Sequence, residues 1–193
     1  MVRRGHVSRS TNETTIELTL DLDGGTIAVA TDVKFLDHML AAFAKHSGCG
    51  LDVRATGDGM DNHHLIEDVG IALGKSIHDA LGEKRGIERF GSVAVPLDDA
   101  LVLASVDLSG RPYLNFAVPF AVENLGDLKT ELIGHFFRSV VDHGRFNLHL
   151  IRLAGENSHH LSEASFKAFA RAFAHAKRFT GDPTVPSTKG LLE

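Results

Sequence analysis

His63-His64-Leu65-Ile66-Glu67-Asp68 returns later in the chain as His159-His160-Leu161-Ser162-Glu163-Ala164. The copy does not come alone. Phe35-Leu36-Asp37-His38-Met39-Leu40 is matched by Leu132-Ile133-Gly134-His135-Phe136-Phe137, His46 by His143, and Leu51-Asp52-Val53 by Leu148-His149-Leu150. The offset stays at about 97 positions, kept to within one residue. One such coincidence arises by chance; several in register identify a duplicated module.

Hydrophobic spacing gives both copies the same order of elements. Residues 2–9 read as a short strand. Ile16, Leu18, Leu20 and Leu22 alternate with polar residues, and Asp23-Gly24-Gly25 precedes Ile27-Ala28-Val29-Ala30, which predicts a hairpin. Phe35, Met39, Leu40 and Phe43 set a helix over 34–46, followed by a strand at 51–55 and a helix over 62–81 that stops at Gly82. The second half repeats this with strands at 92–97, 101–108 and 113–118, a helix over 128–143, a strand at 147–153 and a helix over 158–178. The fold class is α+β: a duplicated β-β-β-α-β-α module making two mixed sheets, each with helices on one face. Residues 1–85 form the first repeat and 86–193 the second. Gly82-Glu83-Lys84-Arg85-Gly86 between them has no linker character, so the halves share one core. The tail from Thr180, with Gly181, Pro183, Pro186 and Gly190, is irregular.

Composition narrows the function. The chain has 193 residues, 43% of them apolar, enough for a sizeable core. No apolar run approaches the roughly 20 residues of a membrane helix, and the N-terminus lacks a secretory apolar stretch, so a cytoplasmic location is expected. A formal charge of -5 without a Lys/Arg-rich run argues against nucleic acid or a membrane surface as partner. The single cysteine, Cys49, reads as a small buried apolar residue and leaves metal binding to His and carboxylates. Twelve His against one Tyr and no Trp is the anomaly, since imidazole is suited to metal ligation and proton transfer.

On a helix, positions i and i+4 share a face, so His63 and Glu67 can address one ion. His64 diverges from His63 by about 100° and serves a different metal or a different subunit. The same holds for His159, His160 and Glu163. Adding His38 and His135 gives six imidazoles and two carboxylates, which divide into two sites of four ligands with positions left open for substrate. A lone His-His pair at a helix start is ordinarily a polar cap in water; recurrence in phase with a Glu and an upstream His argues against that reading. His46 and His143 fit either support of the ligands or helix C-terminal capping. His6, His78, His149 and His175 have no repeated partner and read as ordinary polar residues.

Beyond the doubled motif, Phe35 to Leu40, Arg54-Ala55-Thr56-Gly57-Asp58, Asp61 to Asp68, Asp107-Leu108-Ser109-Gly110-Arg111-Pro112-Tyr113, Ala154 to His160 and Ser187-Thr188-Lys189-Gly190 resemble the signature stretches of the imidazoleglycerol-phosphate dehydratase family. The resemblance spans essentially the whole chain. It implies a fold like domain 2 of a ribosomal small-subunit protein, a homo-oligomer of 24 chains built from trimers, and two Mn2+ per active site with ligands drawn from neighbouring subunits. His38, His63, His64, Glu67, His135, His159, His160 and Glu163 fall at the family's ligand positions. The implied reaction dehydrates imidazole glycerol phosphate to imidazole acetol phosphate in histidine biosynthesis, through a metal-stabilised imidazolate and a diazafulvene-like intermediate. In Arg9-Ser10-Thr11-Asn12-Glu13-Thr14, the resemblance makes Glu13 the acid-base carboxylate, although a strand-end Glu is otherwise just solvated. Asp98 is a weaker candidate for contacting substrate or orienting a ligand. Arg89, Arg111, Lys167, Ser187 and Lys189 match the family's phosphate-binding positions.

Two other readings remain open at this point. One is a bimetallic hydrolase, although such sites favour bridging carboxylates over a set of six His and two Glu. The other is a non-enzymatic metal-binding or assembly protein, which leaves the distributed cationic positions without a purpose.

Overall fold

The computed structural model describes residues 3–192. Two four-stranded sheets lie on the outside and four helices fill the layer between them. In the first half Arg4–Ser10 (β1), Thr14–Asp21 (β2), Ile27–Ala30 (β3) and Gly50–Gly57 (β4) order as β1-β2-β4-β3. Lys34–Ser47 (α1) and His63–Leu81 (α2) cover one face. The second half repeats this with Phe90–Leu97 (β5), Ala100–Asp107 (β6) and Tyr113–Ala117 (β7). A two-stranded turn follows, Asn124–Leu125 (β8) with Leu128–Lys129 (β9), and then Glu131–Gly144 (α3), Asn147–Ala154 (β10) and Ser158–Ala176 (α4). The second sheet orders as β5-β6-β10-β7, the same plan as the first.

The predicted α+β duplication is thus what the chain forms, with one correction to its topology. β2 and β3 are not a hairpin: β4 lies between them, antiparallel to β2 and parallel to β3. The hairpin is instead β1 with β2, Ser10 opposite Thr15. Alternation of Ile16, Leu18 and Leu20 decides which face is buried but not which strand lies alongside. Gly24 and Gly25, at φ 115° and 138°, carry the chain past the end of β4, where Leu51 N donates to Thr26 O at 2.9 Å. Parallel neighbours need a crossover, and α1 supplies it. A second, smaller difference is at residue 128, where the helix expected to begin gives way to β9. The turn there puts Asp127 against α1: its carboxylate accepts from Lys34 N (2.6 Å) and Phe35 N (3.0 Å), two first-turn donors that the helix itself leaves unpaired.

Helices of one half pack on helices of the other, α1 on α4 and α2 on α3, so the two repeats share a continuous core. Phe43, Phe136, Phe137, Phe146, Phe166, Phe169 and Phe173 fill it, all essentially inaccessible. Cys49 is buried as expected, and burial pushes its thiol up. Among the described residues no helix is long and apolar enough to cross a membrane.

Each long helix lies very close to its sheet. A Cβ at Gly5 of β1 would stand 2.1 Å from Ser76 O of α2, and one at Gly91 of β5 would stand 2.0 Å from Ala172 O of α4. Both obstacles are backbone and cannot swing aside. Gly91→Ala is therefore expected to destabilise the fold by about 1–3 kcal/mol. Chemical denaturation checks this, and an unchanged midpoint would show that α4 moves away from β5 freely.

Candidate active site

Helix starts place the histidines. In α4, Asn157 caps the first turn, its side-chain oxygen accepting from His159 N (2.9 Å) and His160 N (3.2 Å). In α2 the same task falls to Asp61, whose carboxylate accepts from His63 N at 3.0 Å, while Asn62 adopts a left-handed conformation. Each first turn thereby holds two adjacent imidazoles about 100° apart around the axis.

The shared core then closes two clusters between the repeats. His38 of α1 meets His159 and Glu163 of α4, and His135 of α3 meets His63 and Glu67 of α2. Within each cluster one ligand atom per residue lies within 4.8 Å of the others. His38 Nε2 and His159 Nε2 are 3.5 and 3.3 Å from Glu163 Oε2, and His135 Nε2 is 3.5 Å from Glu67 Oε1. These separations are too long for good hydrogen bonds and fit three donors converging on one cation. His135 Nε2 is buried and has no hydrogen-bond partner among the described residues. A buried polar atom left open next to two further ligand atoms is the donor geometry a divalent ion requires. The residues present therefore fit a metal in each cluster.

His64 and His160 belong to neither cluster. Their Nδ1 atoms meet Asp58 Oδ2 at 3.0 Å and Asp99 Oδ1 at 2.7 Å. An Nδ1–H donated to a carboxylate leaves Nε2 as the ligating nitrogen and fixes the ring. The Asp58 bond raises the His64 pKa, and the His160 bond, followed by the amides of Asn157 and Glu156, holds Asp99 well below the usual carboxylate range. Asp58 and Asp99 were not among the candidates from sequence. Asp58 lies in one of the signature stretches and Asp99 adjoins Asp98, but their partners are identifiable only in three dimensions.

The two strand-turn tips stand over these outlying rings. Glu13, after β1, has Oε1 3.9 Å from His64 Nε2, and Asp98, after β5, has Oδ2 3.4 Å from His160 Nε2. The Glu13 turn is anchored by buried Asp68 of α2, whose Oδ2 accepts from Arg9 Nη1 (2.5 Å) and Thr14 Oγ1 (2.6 Å). Thr11 Oγ1 accepts from Glu13 N and Thr14 N, closing the turn. His143 makes a bond within its own helix, Nδ1 to Ser139 O at 3.0 Å, and burial lowers the His46 pKa, with Lys167 and Arg171 adding to it.

A cleft of about 310 Å³ brings together Arg89, Arg111, Ser187, Thr188 and Lys189. Arg89 has a left-handed backbone (φ 68°) and a fully directed side chain: Nε and Nη2 fork onto Asp107 at 2.7 and 3.1 Å, and Nη1 donates to Pro186 O at 2.9 Å. Lys167 is not in this cleft. Its Nζ lies 2.7 Å from Glu163 Oε1.

A family model described as imidazoleglycerol-phosphate dehydratase matches residues 31–173. Imidazoleglycerol-phosphate dehydratase from Acidiphilium cryptum is 52% identical over the whole of both chains. That from Desulforudis audaxviator is 50% identical over all of this chain and 99% of its own. Among solved structures, imidazoleglycerol-phosphate dehydratase from Staphylococcus aureus superposes with a TM-score of 0.84 at 36% identity, covering 92% of this chain and 99% of that one. IGPD from Pyrococcus furiosus does so with a TM-score of 0.85 at 38% identity, covering 96% and 100%.

Proposed function

The chain belongs to the imidazoleglycerol-phosphate dehydratase family, and from that premise we propose a bimetallic active site in which two manganese ions and a tail-closed phosphate cleft hold a phosphorylated imidazole. The enzyme is a hydro-lyase of histidine biosynthesis, converting imidazole glycerol phosphate to imidazole acetol phosphate. That assignment removes the hydrolase and the non-enzymatic metal protein from consideration.

The observation that carries the bimetallic reading is the pair of pseudo-equivalent clusters, with His135 Nε2 buried and unpartnered in one of them. His38, His159 and Glu163 would hold one ion and His63, Glu67 and His135 the other. When bound, the ions supply Lewis acidity toward the substrate's imidazole. His64 and His160, already aimed by Asp58 and Asp99 but outside both clusters, would complete the sites of neighbouring copies. This supports a homo-oligomer, for which we adopt the 24-chain arrangement of trimers, and so do large apolar side chains left in solvent, Phe90 and Tyr113 among them. We place the enzyme in the cytoplasm.

The chain's own residues divide the remaining work. Glu13 exchanges the proton on the carbon next to the departing hydroxyl, since it is a carboxylate on a fixed turn outside both metal clusters. Arg89, Arg111, Ser187 and Lys189 bind the phosphate, with Asp107 orienting Arg89. Lys167 joins them only if it leaves Glu163. Asp98 contacts or orients at the His160 side.

Metal removal tests the reading. Purified protein is expected to turn over imidazole glycerol phosphate with Mn2+, to lose turnover on chelation and to regain it on readdition. Light scattering is expected to show the particle shrinking as metal leaves, since each ion links copies. Full turnover by metal-free protein would overturn the bimetallic site, and a particle of constant size would overturn the intersubunit ligands.

A further inference from the structure

Because the two clusters arose by duplication, each is an internal control for the other. Their ligands correspond: His38 with His135, His63 with His159, Glu67 with Glu163. One helical turn beyond each Glu the copies part, with Ile71 in α2 and Lys167 in α4. Lys167 Nζ is 2.7 Å from Glu163 Oε1, and both side chains are largely buried, at 20% and 14% exposure. The other oxygen of that carboxylate, Oε2, is the one facing His38 and His159. Glu67 is 40% exposed, and His135 is its only ion-pair partner among the described residues. Other charges differ between the copies but are engaged elsewhere: Arg138 of α3, where α1 has Ala41, donates to Leu114 O, and Asp37 of α1, where α3 has Gly134, is held by Thr31 and Lys34. His46 and His143 correspond, as do Arg171 and Lys75, and Asp68, which Ala164 lacks, is neutralised by Arg9.

Taking the clusters as metal sites, we propose that they load unequally: the His63, Glu67 and His135 cluster fills at lower free Mn2+ than the His38, His159 and Glu163 cluster. Lys167 shares the charge of Glu163 and repels the entering cation. A unit charge about 5 Å from a divalent ion weakens binding on the order of 10-fold even at the dielectric of water. Lys167 also holds the Glu163 carboxylate in one orientation, but immobilising one side chain in advance is worth only about a few-fold. Repulsion therefore wins. The unequal pair has a use, because one ion is bound firmly while Lys167, once drawn to an anionic substrate, releases Glu163 to the second.

Metal-stripped full-length protein is equilibrated with buffered Mn2+, and bound metal is counted by the loss of the free-ion paramagnetic resonance signal and by elemental analysis. Two classes of one ion per chain are expected, separated on the order of 10-fold in half-filling concentration. Lys167→Met is expected to draw the weaker class toward the tighter, and Lys167→Arg to keep them apart. His135→Asn is expected to remove the tighter class and His159→Asn the weaker. A single class of two equivalent ions in the parent protein overturns the proposal, as does a separation unchanged by Lys167→Met. No bound Mn2+ at any concentration overturns the metal reading itself, and the inequality with it.

Discussion

Glu13→Gln is expected to lower turnover by roughly 10²- to 10⁴-fold, the usual worth of a general acid-base group, with metal content and particle size unchanged. Glutamine keeps the shape and hydrogen-bonding capacity of the side chain but cannot take up a proton. The turn that carries it does not depend on the carboxylate: Thr11 closes the backbone, and Asp68 ties Arg9 and Thr14 to α2. Nor is Glu13 a member of either three-residue cluster, so its loss leaves those donors in place. Substrate is still expected to bind, since the groups proposed to hold its imidazole and phosphate lie elsewhere, and the variant becomes a means of trapping the complex. Steady-state kinetics with metal analysis on the same preparation decide the matter. Turnover within a few-fold of the parent would move the role to another group. Asp98, which stands over His160 at 3.4 Å as Glu13 stands over His64, would then be next, tested by Asp98→Asn.

What the sequence disclosed and what it withheld follow from the range of each interaction. A helix fixes the relation of His63 to Glu67 and of His159 to Glu163 within one turn, so both pairs were legible from spacing alone, as was the divergence of His64 and His160. That His38 closes on His159 rather than on His63 was not legible, because it depends on α1 packing against α4 across the shared core. The same limit applies to Asp99, whose partner His160 lies 61 positions away. Strand alternation likewise gave the buried face of β2, but the insertion of β4 between β2 and β3 is a pairing choice that a period of two does not encode. In the phosphate cleft, Arg89, Arg111, Ser187 and Lys189 came from resemblance, and each was an ordinary surface residue by composition. The structure brings all four to one cleft, where Asp107 and the carbonyl of Pro186 hold Arg89 from two sides.

That last arrangement makes truncation after Pro186 the sharpest test of the cleft. Everything up to the cut is pinned to the body: Thr180 N donates to Gly86 O, Gly86 N to Thr184 O, and the Pro186 carbonyl that receives Arg89 is retained. Fold and metal content are therefore expected to survive. What is lost is the turn from Ser187 to Gly190, in which Gly190 N donates to Ser187 O and Lys189 N to Ser187 Oγ, presenting Lys189 and Ser187 at one wall of the cleft. Both donors are proposed to bond a charged phosphate, and a hydrogen bond to a charged group is worth about 1.5–3 kcal/mol, so losing both raises KM roughly 10²- to 10⁴-fold. At saturating substrate turnover falls far less than in Glu13→Gln, because the proton-transfer group is untouched. Inorganic phosphate, used as a competitor, is expected to lose its inhibition in parallel. An unchanged KM would remove the tail from the site and leave the phosphate to Arg89 and Arg111, whereas a fall in kcat alone would mean that the tail acts on the chemical step rather than on binding.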